Sequence, residues 1–163
     1  MGEFPGVLRV CLWHNVIVAC WYGDPSAQAS NRLTAITQHI LESRNAPDKV
    51  SYVHLVTGKL KLPDAATRAA FVESTNKYAH RTALSAVVVS GAGFWASAIR
   101  GFVTGIGMVA PRSLELRLYG TIEALVPWFP NEHARRTGVA LDPELLLQNL
   151  ARAQRGVSTA LSA

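Results

Sequence analysis

Residues 84–111 read LSAVVVSGAGFWASAIRGFVTGIGMVAP, and Arg100 carries the only formal charge in the stretch. A chain that folds in water has to bury most of such a segment, which puts it at the centre of the core. Its length invites comparison with a membrane span. However, Ser90-Gly91-Ala92-Gly93 divides it into a β-branched strand ending at Val89 and a helix-like segment starting at Phe94. Neither half reaches the roughly 20 apolar residues that a bilayer requires. An apolar strand, a glycine turn and an apolar helix together form the inner unit of an α/β sheet covered on both faces.

Upstream, residues 7–13 and 16–22 are strand-like runs joined at His14-Asn15, the pattern of a tight β-hairpin. Pairing Trp13 with Val16 puts Leu8, Val10, Leu12, Ile17, Ala19 and Trp21 on one apolar face. The same register sets Cys11 opposite Val18 and leaves Cys20 only a diagonal neighbour, too far for an easy disulfide. Both cysteines therefore read as core thiols. Gly23-Asp24-Pro25 predicts a helix start with Asp24 as N-cap, followed by Ala29, Leu33, Ile36 and Ile40 at helical spacing. Residues 50–57, VSYVHLVT, read as the third strand. Asp64 then caps a second helix running to Thr82, with Ala70, Phe71, Ser74 and Tyr78 along its inner side.

Downstream of the glycine turn, Trp95, Ala98, Ile99, Phe102, Ile106 and Val109 form a broad apolar helix face, and Gly101 and Gly105 read as points of close approach by another element. Residues 114–119 are the last strand. Thr121 caps a short helix that Pro130 ends, and Asp142-Pro143 opens a C-terminal helix carrying Leu146, Leu147 and Leu150. The 163 residues fit a single domain with its core in residues 6–130, a helical extension at 142–155 and a loose tail at 156–163. The expected architecture is α/β, a mixed sheet of about five strands that begins with an antiparallel hairpin and is covered by four to five helices.

With 49% hydrophobic and 17% charged residues, the composition is that of a globular chain. The net charge of +5 is scattered, apart from Arg135-Arg136 and the Arg152/Arg155 pair, and no aromatic-interleaved basic motif accompanies it, which argues against a nucleic-acid partner. No CxxC or Cys/His spacing surrounds the cysteines, so neither a metal nor a cofactor is expected. The opening MGEFPGVLRV lacks the basic-then-apolar order of a secretory signal, and no transmembrane segment is read, so the expected location is cytoplasmic with reduced thiols.

Candidate sites are few. Gly91-Ala92-Gly93-Phe94-Trp95-Ala96 fits the relaxed dinucleotide pattern GxGxxG/A, but it lies late in the chain and the next strand ends in Leu118-Tyr119-Gly120 without a carboxylate for a ribose; tight strand-to-helix packing accounts for the glycines more simply. The histidines His14, His39, His54, His80 and His133 lack the i, i+4 spacing of a helical metal pair and read as satisfied or surface side chains. No GxSxG elbow is present, and no catalytic residue is assigned. Glu132-His133-Ala134-Arg135-Arg136 reads as a solvated connector. Lys59, Lys61 and Arg68 gather near one strand end with Asp64 between them and Thr57 beside them, a contact patch for a protein partner with an acidic surface. Phe94 and Trp95 beside the glycine turn are candidate interface anchors, with Phe94 the better placed.

The order of elements, with Trp21-Tyr22-Gly23 entering the first helix, residues 63–68 entering the second, and Tyr119-Gly120-Thr121-Ile122-Glu123-Ala124 leading to Trp128, resembles the STAS fold of anti-sigma factor antagonists, especially the SpoIIAA-like group. The resemblance covers residues 6–130. It implies a non-enzymatic bacterial signalling module that binds a protein partner through its strand-end loops and second helix. Antagonists of the phospho-switch type carry an Asp-Ser pair at the junction of third strand and second helix. Here that junction reads VTGKLKLPDA over residues 56–65, without the Ser, and Thr57 and Thr67 are the nearest hydroxyls. SpoIIAA-like proteins also look similar to a group of lipid-binding proteins. This supports the alternative of a small-molecule or lipid-binding domain that uses the apolar, low-charge helix at 94–109 as a pocket wall, where Ala98, Gly101 and Gly105 leave room. A second copy of the chain is a further candidate partner, in a homodimer.

Overall fold

A computed structural model describes residues 2–57, 60–91 and 93–155. Strands β1 (Gly2–Phe4), β2 (Leu8–Trp13), β3 (Val16–Trp21), β4 (Val50–Val56), β5 (Thr82–Val89) and β6 (Leu116–Tyr119) lie in one six-stranded sheet in sequence order. The hairpin forms in the expected register, with Trp13 opposite Val16 and Cys11 opposite Val18. Its turn residue His14 takes a positive φ of 51°. β1 adds an antiparallel edge strand that the polar opening did not announce, so the sheet has six strands instead of five.

From β3 to β6 all pairings are parallel, and each crossover moves one place in the same direction. Parallel crossovers are overwhelmingly right-handed, so successive steps in one direction deliver every connecting helix to the same face. Helices α1 (Ala27–Glu42), α2 (Ala65–Tyr78) and α3 (Phe94–Val109) accordingly share one face, packed on Leu8, Val10, Ile17, Ala19, Trp21, Val87 and Val89. The other face would be bare without the C-terminal helices α4 (Ile122–Leu125), α5 (Phe129–Thr137) and α6 (Pro143–Gln154). They bury Ile122, Leu125, Phe129, Leu146 and Leu150 against Cys11, Val16, Val18, Val53, Leu55, Leu84, Ala86 and Val88. Among the described residues the sheet is thus covered on both faces by six α-helices, instead of four to five.

Several local expectations change. Ser26, not Asp24, caps α1 and accepts from Ala29 N at 3.1 Å, because Asp24 is turned to the backbone N–H of Lys61 at 2.7 Å. α2 ends at Tyr78, and after a 3-10 turn Thr82 already belongs to β5. Pro130 starts a helix instead of ending one: it lies in the first turn of α5, where its missing N–H costs nothing. Asp64, Thr121 and Asp142 cap α2, α4 and α6 as expected. Leu12 and Val109, assigned to apolar faces, are exposed. Gly91 and Gly93 are required by backbone conformation, with φ of 100° and 93°, and not by close packing, since a Cβ on either would meet nothing within 4 Å. Gly101 and Gly105 are likewise open to solvent and admit no close neighbour. Residues 132–136 are part of α5, not a solvated connector: Arg136 pairs with Glu132 and Glu115 and donates to the carbonyl of Ala83 at 3.0 Å. The expected loose tail, 156–163, lies outside the described residues.

Candidate functional site

Alternate residues of a strand share a side, so Tyr52, His54 and Val56 of β4 point to the α1–α3 face, and Ser85 and Val87 of β5 continue the strip. α2 spans this strip like a roof beam. Only Thr67 and Tyr78, at its two ends, are buried. The sequence explains why. AATRAAFVESTNKY offers Phe71, Val72 and Tyr78 as its only bulky apolar or aromatic side chains, too few to fill the space above the sheet. Between the buried ends, Phe71, Ser74 and Thr75 line a partly open cavity of about 120 Å³. α3 contributes Ile99, Phe102, Val103 and Ile106, and α1 contributes Ser30, Leu33 and Thr37.

No Asp, Glu, Lys or Arg lines the cavity among the described residues. Its polar groups are neutral and mostly committed. Tyr52 donates to Thr37 Oγ1 at 3.0 Å, and burial pushes its pKa up. The hydroxyls of Thr34 and Ser74 meet at 2.8 Å and tie α1 to α2. Trp21 Nε1–H donates to Nδ1 of His54 at 3.4 Å. An indole can only donate, so Nδ1 is the bare nitrogen and Nε2 holds the proton. Burial pushes the His54 pKa down to about 4, which keeps the ring neutral near pH 7. Its ring stacks on Tyr52 with centroids 5.7 Å apart. The hydroxyl of Tyr78 is buried without any hydrogen-bond partner. Such a group costs about 1–3 kcal/mol when left unsatisfied.

The partner-contact candidates gather at the strand-end loop beside this cavity. Thr57 Oγ1 donates to the carbonyl of Trp21 at 2.9 Å, Lys61 pairs with Asp24 at 3.4 Å, and Arg68 Nε donates to the carbonyl of Pro63 at 2.9 Å. The Thr67 side chain, and then its backbone N–H at 2.8 Å, hydrogen-bond to Asp64 and hold its carboxyl below the usual range. Trp95 Nε1 donates to the carbonyl of Leu60, so its indole ties α3 to this loop, whereas Phe94 is 89% exposed. Lys59 lies outside the described residues. Arg100, the lone charge of the central stretch, donates to the carbonyls of Val89 and Gly91, both at 3.1 Å, and closes the glycine turn.

A second polar cluster lies on the opposite face. Ser51 Oγ meets Nδ1 of His133 at 2.8 Å, His133 Nε2 meets Asn15 Oδ1 at 2.8 Å, and Asn15 Nδ2 donates to the carbonyl of Lys49 at 3.0 Å. Because the Asn15 amide nitrogen is spent on Lys49, its oxygen accepts from His133 Nε2–H, and Ser51 donates to Nδ1. Burial, with a smaller contribution from His14, pushes the His133 pKa down to about 4. A Ser–His–Asn order is compatible with nucleophilic chemistry in general, but Ser51 and His133 are each 0% exposed, so no substrate reaches them. The cluster pins α5 to the starts of β3 and β4.

Sequence reading placed Phe71, Ser74 and Tyr78 on the inner side of the second helix, but as packed core. It offered the 94–109 helix as a pocket wall but did not place a cavity beneath the second helix. The available signal was the i, i+2 spacing of Tyr52 and His54 in VSYVHLVT, which puts two polar-tipped rings on one face of a buried strand.

The chain is thus a mixed α/β domain with a roofed, uncharged cavity on its crossover face. Compared with known proteins, it matches no family model and no curated protein sequence. Among the described residues, no group of three His, Cys, Asp or Glu is placed to hold a metal ion, and no helix is long and apolar enough to cross a membrane.

Proposed function

We propose that this protein binds a small molecule in the cavity beneath α2, with α3 as one wall. The observation that carries this reading is a cavity of about 120 Å³ bordered by Tyr78, whose buried hydroxyl has no partner. Folding gains nothing from either feature: the void forfeits packing contacts and the orphan hydroxyl costs free energy. The protein purified from its host and examined by native mass spectrometry is expected to carry an adduct that is lost on denaturation. The same adduct is expected to be missing from Thr75→Phe, which fills the cavity from α2. A bare mass in the native spectrum, together with unchanged spectra on addition of ring-sized organic fragments, would refute this reading.

A second reading, an interaction module of the kind the STAS resemblance implies, is favoured by the exposure of Phe94 beside the loop that carries Lys61 and leads to Arg68 in the first turn of α2. Changing Phe94 to Ser, with Lys61 and Arg68 to Ala, is expected to weaken capture of a protein partner without altering the fold. Undiminished capture would remove this surface from consideration.

A further inference from the structure

We infer that the molecule taken by this cavity is uncharged, about the size of one aromatic ring, and carries a carbonyl-like acceptor that meets Nε2–H of His54. This inference rests on the ligand-site reading above and narrows it to a chemical class.

Size comes from the volume. The cavity of about 120 Å³ is slightly smaller than the ~150 Å³ engineered cavity known to hold one benzene. Acyl chains and nucleotides are too large for its interior. Shape comes from the wall: Trp21, Phe71 and Phe102 run in series with centroid separations of 5.4 and 5.9 Å in tilted and edge-on arrangements. A flat ring extends such a series. Charge is excluded by the lining, which offers no ionised partner, and moving a bare carboxylate or ammonium out of water costs several kcal/mol.

The polar contact follows from the hydrogen-bond roles. Trp21 occupies Nδ1 of His54, so the remaining nitrogen is a donor, and among the described residues Nε2 has no hydrogen-bond partner. His54 lines the cavity, and so the group that answers it must accept. Tyr52 and Ser74 are already committed to Thr37 and Thr34. The Tyr78 hydroxyl can donate or accept, whereas the His54 N–H can only donate, so His54 is the specificity-determining residue of the site.

The test uses four probes of similar size, acetophenone, ethylbenzene, benzoate and benzylammonium, titrated into the whole chain and followed by NMR at the Trp21 indole and the His54 ring nitrogens. Acetophenone is expected to bind about 5- to 10-fold more tightly than ethylbenzene, the worth of one net hydrogen bond. Benzoate and benzylammonium are expected to bind too weakly to measure. Acetophenone is expected to shift the His54 Nε2 resonance while ethylbenzene leaves it in place, a readout that needs no variant. In His54→Phe the advantage of acetophenone is expected to vanish while ethylbenzene still binds. Equal or tighter binding of ethylbenzene, or preference for either charged probe, would overturn the acceptor class and leave the site standing. Failure of all four probes to bind would overturn the site reading and this inference with it.

Discussion

The two faces of the sheet each hold a histidine, buried on one and half-buried on the other, and they treat it differently. On the α4–α6 face His133 has both ring nitrogens bonded, to Ser51 and Asn15, within a layer in which Phe129, Leu125, Leu146 and Leu150 are each 0% exposed. On the α1–α3 face His54 has one nitrogen bonded and lines a cavity, as does Tyr78, whose buried hydroxyl has no partner. The contrast lies in the roofing helices. α6 and the segments before it supply Leu and Phe at core positions, whereas α2 supplies Ala, Thr and Ser with a single Phe. A sealed face sets the stability of the domain, and a hollow one leaves room for chemistry.

The largest expected effect separates the faces by truncation. Phe129→Ala should cost about 3–5 kcal/mol in urea unfolding, the usual range for an enclosed aromatic, because nothing nearby can collapse into the void. Phe71→Ala, beside space that is already empty, should cost roughly 1–2 kcal/mol. Equal losses would break the comparison.

Acid should act next, and on both faces. His54 and His133 have folded pKa values pushed down to about 4 from the ordinary 6.5. Below pH 6.5 the unfolded chain takes up protons that the folded chain refuses until about pH 4, so their contribution is present above that window and is lost as pH falls through it. Each histidine accounts for a loss on the order of 3 kcal/mol. Unfolding free energies at pH 7 and pH 4.5 should show the loss, and His133→Gln should be weaker at pH 7 but less acid-sensitive. A flat profile would mean that neither ring is desolvated.

A smaller effect has the opposite sign. Tyr78→Phe removes a buried hydroxyl with no partner, and the empty protein should gain about 1 kcal/mol. Lost stability would mean that the hydroxyl is satisfied in solution. The smallest effect belongs to Lys61→Ala, whose exposed pairing with Asp24 is worth about 0–1 kcal/mol. A change above that range would show that the loop over the cavity depends on this pair.

Much of this architecture was legible in the sequence. The hairpin register followed from two apolar alternations around His14-Asn15, and the caps at Asp64, Thr121 and Asp142 followed from acceptor side chains placed just before helical periodicity. β1 was not legible, because Gly2, Glu3 and Phe4 show no alternation and pair only once the hairpin edge exists. The cap of α1 shifted to Ser26 because Asp24 has a better partner 37 positions away at Lys61, a tertiary contact invisible to local rules. For the site, the inner side of α2 was read correctly and the 94–109 helix was one candidate pocket wall, but the void beneath α2 was not legible. Whether Phe71 and Tyr78 meet neighbours or a void depends on how far α2 stands from β4 and β5, a distance the helical period does not encode.

The most direct test of the hollow-face account is a crystal of the protein pressurised with xenon, which enters apolar cavities of this size. The account predicts xenon density among Trp21, Phe71, Val103 and Val87, absent in Thr75→Phe, and none between the sheet and α6. No xenon beneath α2, or xenon beside Phe129 and Leu150, would contradict it.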